Sequence, residues 1–225
     1  MPNSSRKKSE HLHPVEPIYQ LWGWILLIWS LYRYFVRLPE WVDEFLFKPA
    51  VFVLPVLWFV TKFEKRAVAS LGITGKGLTK SIVLGLFFGG LFMAEGIVVN
   101  GLRNGEVSMR PIQAVLQYGV LGILALTVAT SFSEELLNRG FLFQRLFEKS
   151  KNLSYATVMS TILFILLHVP ILLTTLKLQG MILVLYFATN MILGIVNSLL
   201  IYNTGSLVAP ILVHIFWNMT VALFL

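Results

Sequence analysis

Apolar residues run almost unbroken over long stretches of the chain and are interrupted by short polar segments. Those runs place helical spans near 17–36, 45–61, 78–100, 112–148, 153–169, 179–202 and 206–225. A bilayer core of ~30 Å takes about 20 apolar residues of helix, and most of the runs reach or approach that length. Within hydrocarbon the backbone must satisfy its own hydrogen bonds, which leaves helices and closed barrels as the spanning structures. The alternation that marks a barrel strand is absent from these runs. The expected fold is therefore all-α, a polytopic transmembrane helix bundle of about seven spans with any polar site held between helices. The 112–148 run is too long for one straight crossing, so a break or an interfacial piece is expected inside it. Residues 1–16 form a polar tail, 17–225 make one membrane domain, and no internal repeat divides it.

Composition sharpens this picture. The 225 residues are 56% hydrophobic and 13% charged, with a mean hydropathy of +0.76. A soluble domain carries about 25% charged residues. There is no cysteine, which removes disulfides, thiolate zinc sites and a cysteine nucleophile. The net charge of +7 comes from short clusters between spans and forms no basic face of useful length, so nucleic acid is not an expected partner. Lysine and arginine distributed this way mark topology. Lys62, Lys65, Arg66, Lys76 and Lys80 in one connection and Arg145, Lys149 and Lys151 in another fall on the side of the basic tail if seven spans follow a cytoplasmic N-terminus. Arg33, Arg37, Arg103 and Arg110 run against that bias. The tail meets a Trp-rich span without a small-residue cleavage site, which reads as an uncleaved first helix. His11 and His13 of the tail are potential metal ligands, though a disordered tail is the plainer reading. Trp22, Trp24, Trp29, Trp41 and Trp58 read as interfacial or lipid-facing anchors.

Ionisable groups inside hydrocarbon cost ~2.5 kcal/mol or more each, which makes them functional candidates. Glu134, Glu135, His168 and His214 stand out, with Asn218 as a polar amide in the otherwise apolar last span and Glu95 as a weaker candidate near a span end. Glu135 and Arg139 are four residues apart and share a helix face, acid before base. Glu134, turned by about 100° from Glu135, is then free to point elsewhere. A structural ion-pair network is the alternative reading of the same residues. Glu134 lies 17 residues before Lys151, and His168 lies 17 after it. At 1.5 Å per residue both sit roughly 25 Å from that turn, so facing helices can bring carboxylate and imidazole together. His214 and Asn218 again share a face. They read either as tight polar packing or as a pair of donors for an oxyanion.

Three segments in order, Glu134-Glu135-xxx-Arg139, Phe164-xxx-His168 and His214-xxx-Asn218, resemble the signatures of the CAAX proteases and bacteriocin-processing enzymes, the abortive-infection family. Arg139-Gly140-Phe141-Leu142 and Gly205-Ser206-Leu207-Val208-Ala209-Pro210 agree at the flanks, and the resemblance covers about residues 70–225. It implies an intramembrane glutamate-dependent endopeptidase related to the type II CAAX prenyl protease. Glu134 with His168 then activates a water, His214 and Asn218 stabilise the oxyanion, and Glu135 orients the site with Arg139. Phe164 packs on His168 as support. Asn138 departs from the large apolar residue that many relatives place before the arginine, and prenyl-protein processing does not carry over.

No metal is firmly expected. The zincin arrangement is absent, yet Glu134, His168 and His214 form a possible ligand set for a divalent ion. The expected partners are membrane lipids and a peptide or membrane-associated protein substrate. A proton-coupled transporter that uses Glu95, Glu134, Glu135 and the histidines as a relay is one rival. A non-proteolytic membrane partner or immunity-type protein is another. The single aspartate, Asp43, excludes an aspartyl dyad within one chain.

Overall fold

A computed structural model describes residues 15–36, 38–109 and 111–224. The polar tail through Pro14, with His11 and His13, and Arg37 and Arg110 lie outside the described residues. All regular structure among the described residues is helical: α1 (Glu16–Phe35), α2 (Glu40–Phe63), α3 (Leu78–Asn104), α4 (Gln113–Ser150), α5 (Leu153–Leu176), α6 (Gly180–Thr204) and α7 (Val208–Phe224). The five helices α2 to α6 are long and apolar enough to cross a membrane, and α7 is a shorter apolar helix.

Local chemistry explains the helix ends. Pro17 starts α1, where a missing N–H costs nothing. The Asn152 side chain caps α5 by accepting from the Tyr155 amide at 3.0 Å. Helix α2 begins five residues earlier than its apolar run. Its first turns carry charge, and those side chains find partners: Arg33 donates to Asp43 at 2.9 Å and Lys48 to Glu44 at 2.6 Å. Helix α5 runs past the expected end at residue 169 because the chain absorbs Pro170 and then widens its turns over Leu172–Leu176. The break expected in the long fourth run occurs at Gly119, where φ is 71° and ψ is 169°, a conformation open to glycine. Beyond it, α4 widens to π-helical turns over Leu136–Phe143, directly after the two glutamates. Wide turns also flank Lys48 in α2, at Asp43–Phe47 and Pro49–Val53. Such turns often mark functional positions in helices.

One apolar core joins α1, α2, the second half of α4 and α5. Another joins α3, α5, α6 and α7. Helix α7 is held close to α3 because glycines face it. A Cβ at Gly85 would lie 2.9 Å from Leu212, and one at Gly89 2.8 Å from Phe216. Small residues at four-residue spacing let membrane helices approach in this way. Trp24, Trp41 and Trp58 are exposed, as anchors should be, but Trp22 and Trp29 are buried. Trp29 has a polar partner inside the bundle, the Leu167 carbonyl at 3.1 Å, which draws its ring inward.

Cross-contacts fix which ends lie together. Tyr19 near the start of α1 meets Tyr155 near the start of α5 at 3.0 Å. Arg145 reaches Glu64 at 2.8 Å and Ser70 at 2.9 Å, and Lys80 reaches the Asn203 carbonyl at 3.0 Å. The beginning of α1, the α2–α3 connection, the α4–α5 turn and the end of α6 therefore share one end of the bundle. The α1–α2 connection lies at the other.

Candidate active site

Five helices converge on one polar centre. Ser133, Glu134 and Glu135 are buried at the last regular turn of α4 before the π-helical stretch. Glu134 presents its two oxygens to different neighbours. Oε1 accepts from the Lys48 ammonium at 3.1 Å, while Oε2 lies 3.7 Å from His168 Nε2 and 3.7 Å from His214 Nε2. Oε2 is buried and has no hydrogen-bond partner among the described residues.

Glu135 points the other way and is fully buried. Its Oε1 accepts from His214 Nδ1 at 2.8 Å, from Asn197 of α6 at 3.0 Å and from Arg139 at 3.2 Å. The Arg139 guanidinium lies over the Phe164 ring, 4.5 Å from its centroid. This geometry supplies the charge with a second, non-carboxylate partner. Phe164 also meets His168 edge-on at 4.6 Å, and its carbonyl oxygen lies 2.9 Å from His168 Nδ1.

Those contacts set the tautomers. A carbonyl only accepts, so His168 Nδ1 carries its proton and Nε2 of the neutral ring offers a lone pair toward Glu134. His214 Nδ1 donates to the Glu135 carboxylate, so its Nε2 is an acceptor in the neutral ring and a donor only in the imidazolium.

The centre opens into a cavity of about 440 Å³. Glu134, His168, His214, Asn218, Tyr186 and Lys48 line its inner part. The cavity extends to Arg33, Asp43 and the exposed Glu40 at the α1–α2 end, away from the basic connections. The walls combine these polar groups with apolar side chains such as Phe52, Leu167 and Trp217, the mixed lining common to ligand clefts.

The structure thus brings Glu134, His168 and His214 together, with Glu135, Arg139 and Phe164 behind them. Asn218 sits one turn past His214 on the cavity wall, where its amide is 3.5 Å from the Ser131 hydroxyl. Glu95 does not join the centre; it lies inside a span but faces outward, exposed. Among the described residues no group of three His, Asp or Glu side chains is placed to hold a metal ion, and one oxygen of Glu134 already carries the Lys48 ammonium. Sequence reasoning missed Lys48, Glu44 and Asn197. Lys48 and Glu44 carry the same signal as the residues that were found, an ionisable i,i+4 pair at the start of an apolar run. Asn197 is a polar amide in an apolar helix, the same signal that marked Asn218, and it is fully buried.

Residues 116–220 match the family model described as type II CAAX prenyl endopeptidase Rce1-like. No curated protein and no solved structure matches the chain. The matched stretch contains the three motif segments and begins well after residue 70, so that α1, α2 and α3 all precede it.

Proposed function

Since residues 116–220 match the type II CAAX prenyl endopeptidase Rce1-like family model, we propose that the chain is an intramembrane endopeptidase of that kind in which Glu134 is the reacting base. An integral membrane protein of a protease family takes peptide segments at or in the membrane as its substrates. The observation that carries the finer reading is the meeting of Glu134 Oε2 with two imidazole Nε2 atoms, each at 3.7 Å, on the wall of a large cavity.

The chemistry follows from those atoms. A water held between Glu134 Oε2 and His168 Nε2 meets two acceptors, so its oxygen lone pair is left facing the substrate carbonyl. As the water attacks, Glu134 takes its proton. The carbonyl oxygen becomes an oxyanion, which His214 Nε2–H of the imidazolium and the Asn218 amide stabilise from α7. Glu135 supports that imidazolium through Nδ1 and fixes the ring plane. The proton on Glu134 then passes to the departing amine, the C–N bond breaks, and the base is regenerated. Charged groups act strongly here because the surrounding protein and lipid keep the dielectric low.

The amino-terminal end of α1 shares the end of the bundle that carries Lys62, Lys65, Arg66, Lys149 and Lys151. By the positive-inside bias that end is cytoplasmic, and the cavity mouth at Glu40 opens toward the opposite face.

Cleavage of a peptide library by the purified full-length chain tests the reading. Wild type is expected to cleave, and Glu134→Gln to lose about 10²-fold or more in kcat while unfolding within about 4 °C of wild type. Full cleavage by a folded Glu134→Gln protein removes Glu134 from the reaction.

A further inference from the structure

Among the described residues, Lys48 is the lysine or arginine paired with Glu134, and it comes from outside the family-matched stretch. It is 4% exposed on a membrane helix, where an ammonium group without partners is untenable. Two carboxylates hold it: Glu44 Oε2 one turn before it at 2.6 Å and Glu134 Oε1 across the cavity at 3.1 Å. The Thr130 hydroxyl donates to Glu44, and the Trp29 ring lies 5.7 Å from the ammonium on a further side. The remaining charged neighbours on the cavity wall are Arg33 and Asp43, which pair with one another at 2.9 Å, and Glu40 at the mouth. The π-helical turns on both sides of Lys48 interrupt the regular helix at this residue.

A carboxylate turns readily about its terminal bond, and its two oxygens are chemically alike. A base that must hold one oxygen toward a water therefore needs a partner on the other. Resting on the reading of Glu134 as the reacting base, we propose that Lys48 is a positioning residue of the site. Its ammonium, steered by Glu44, clamps Glu134 Oε1 so that Oε2 alone faces the imidazoles and the substrate. The ammonium on Oε1 also complements the carboxylate form that a base requires. Helices α1 and α2 are then part of the site. The matched stretch alone lacks the group that holds its glutamate.

The test uses full-length protein in detergent as wild type, Lys48→Met, Lys48→Arg and the double variant Lys48→Met/Glu44→Gln. Dicyclohexylcarbodiimide, which reacts with protonated carboxyl groups in apolar surroundings, is applied at neutral pH, and labelled residues are mapped by mass spectrometry. Glu95, exposed on α3, is the internal control for reagent access. Glu134 is expected to be unlabelled in wild type and in Lys48→Arg, and labelled in Lys48→Met and in the double variant. In cleavage, Lys48→Met is expected to lower kcat by about tenfold to a hundredfold, as misplacing a reacting group does, with KM little changed and most of the rate restored in Lys48→Arg. Absence of Glu134 labelling in both variants that lack Lys48, with Glu95 labelled, overturns the proposal. So does an unchanged kcat in Lys48→Met. If wild type cleaves nothing, the hydrolase reading fails on its own, and the labelling pattern still decides whether Lys48 holds Glu134. A Lys48→Met protein that does not fold leaves the decision to the double variant, in which no unpaired Glu44 carboxylate remains.

Discussion

Replacing Glu135 by glutamine separates the two neighbouring carboxylates by their physical roles. Glu135 and Arg139 are both fully buried, 3.2 Å apart, and the same oxygen of Glu135 takes bonds from His214 at 2.8 Å and Asn197 at 3.0 Å. Glutamine keeps the shape but removes the charge, which leaves the fully buried Arg139 guanidinium without its paired carboxylate, over the Phe164 ring. Breaking a buried pair by removing one partner costs about 3–5 kcal/mol. For a chain of this size 1 kcal/mol moves the midpoint by about 2–4 °C, so Glu135→Gln should unfold roughly 6–20 °C below wild type. Glu134→Gln should differ from wild type by only about 1 kcal/mol, because Lys48 keeps Glu44 at 2.6 Å and the new amide oxygen still accepts from it. Adding Arg139→Met to Glu135→Gln removes the orphaned charge and should recover part of the loss, since contacting residues couple. The assay is thermal unfolding of the detergent-solubilised protein, followed by the fraction that remains monodisperse. Equal midpoints for Glu134→Gln and Glu135→Gln would refute the assignment of separate roles, as would a double variant less stable than Glu135→Gln alone.

Gly85→Val drives a branched side chain into Leu212 and toward the Ala209 backbone, where even a Cβ would lie at 2.9 and 3.2 Å. It should cost about 1–3 kcal/mol and lower cleavage by displacing His214 on α7; a variant with wild-type midpoint and rate contradicts the packing argument. Arg145→Met removes the contacts to Glu64 and Ser70 that tie the end of α4 to the α2–α3 connection, and limited proteolysis is expected to cut that connection faster than in wild type. The chain contains no cysteine, so single cysteines report topology without background. In spheroplasts an impermeant maleimide should label Glu40→Cys and spare Lys151→Cys; the reverse pattern inverts the proposed orientation.

Much of the centre could be read from spacing because its parts obey helical geometry. Equal distances from Lys151 put Glu134 and His168 at one depth, and the structure holds them 3.7 Å apart. A four-residue interval joins Glu135 to Arg139 at 3.2 Å. The same interval from His214 to Asn218 gave a shared face but not a shared contact, because one turn along α7 moves the amide to Ser131. The i,i+4 spacing of Glu44 and Lys48 was legible, but the link from Lys48 to Glu134 was not, because those residues are 86 apart on different helices and no periodicity within a span reports a cross-helix pair. The place of Lys48 also depended on α2 starting at Glu40, which the apolar run hides because the charges there are neutralised by α1 and by one another. Trp29 misled for a related reason. Tryptophan serves at interfaces and in interiors alike, and only the Leu167 carbonyl decides between them.

The stretch of α4 after Gly119 should make the site answer to the lipids around it. From Val120 to Ser150 the helix spans roughly 45 Å at 1.5 Å per residue, against ~30 Å of hydrocarbon. A rod that overshoots its slab leans, and the lean changes when the acyl chains shorten or lengthen. Glu134 rides on that rod while Lys48, His168 and His214 ride on others. Turnover should therefore peak in vesicles of one acyl length and fall in thinner and thicker ones, making bilayer thickness a variable of the catalytic step.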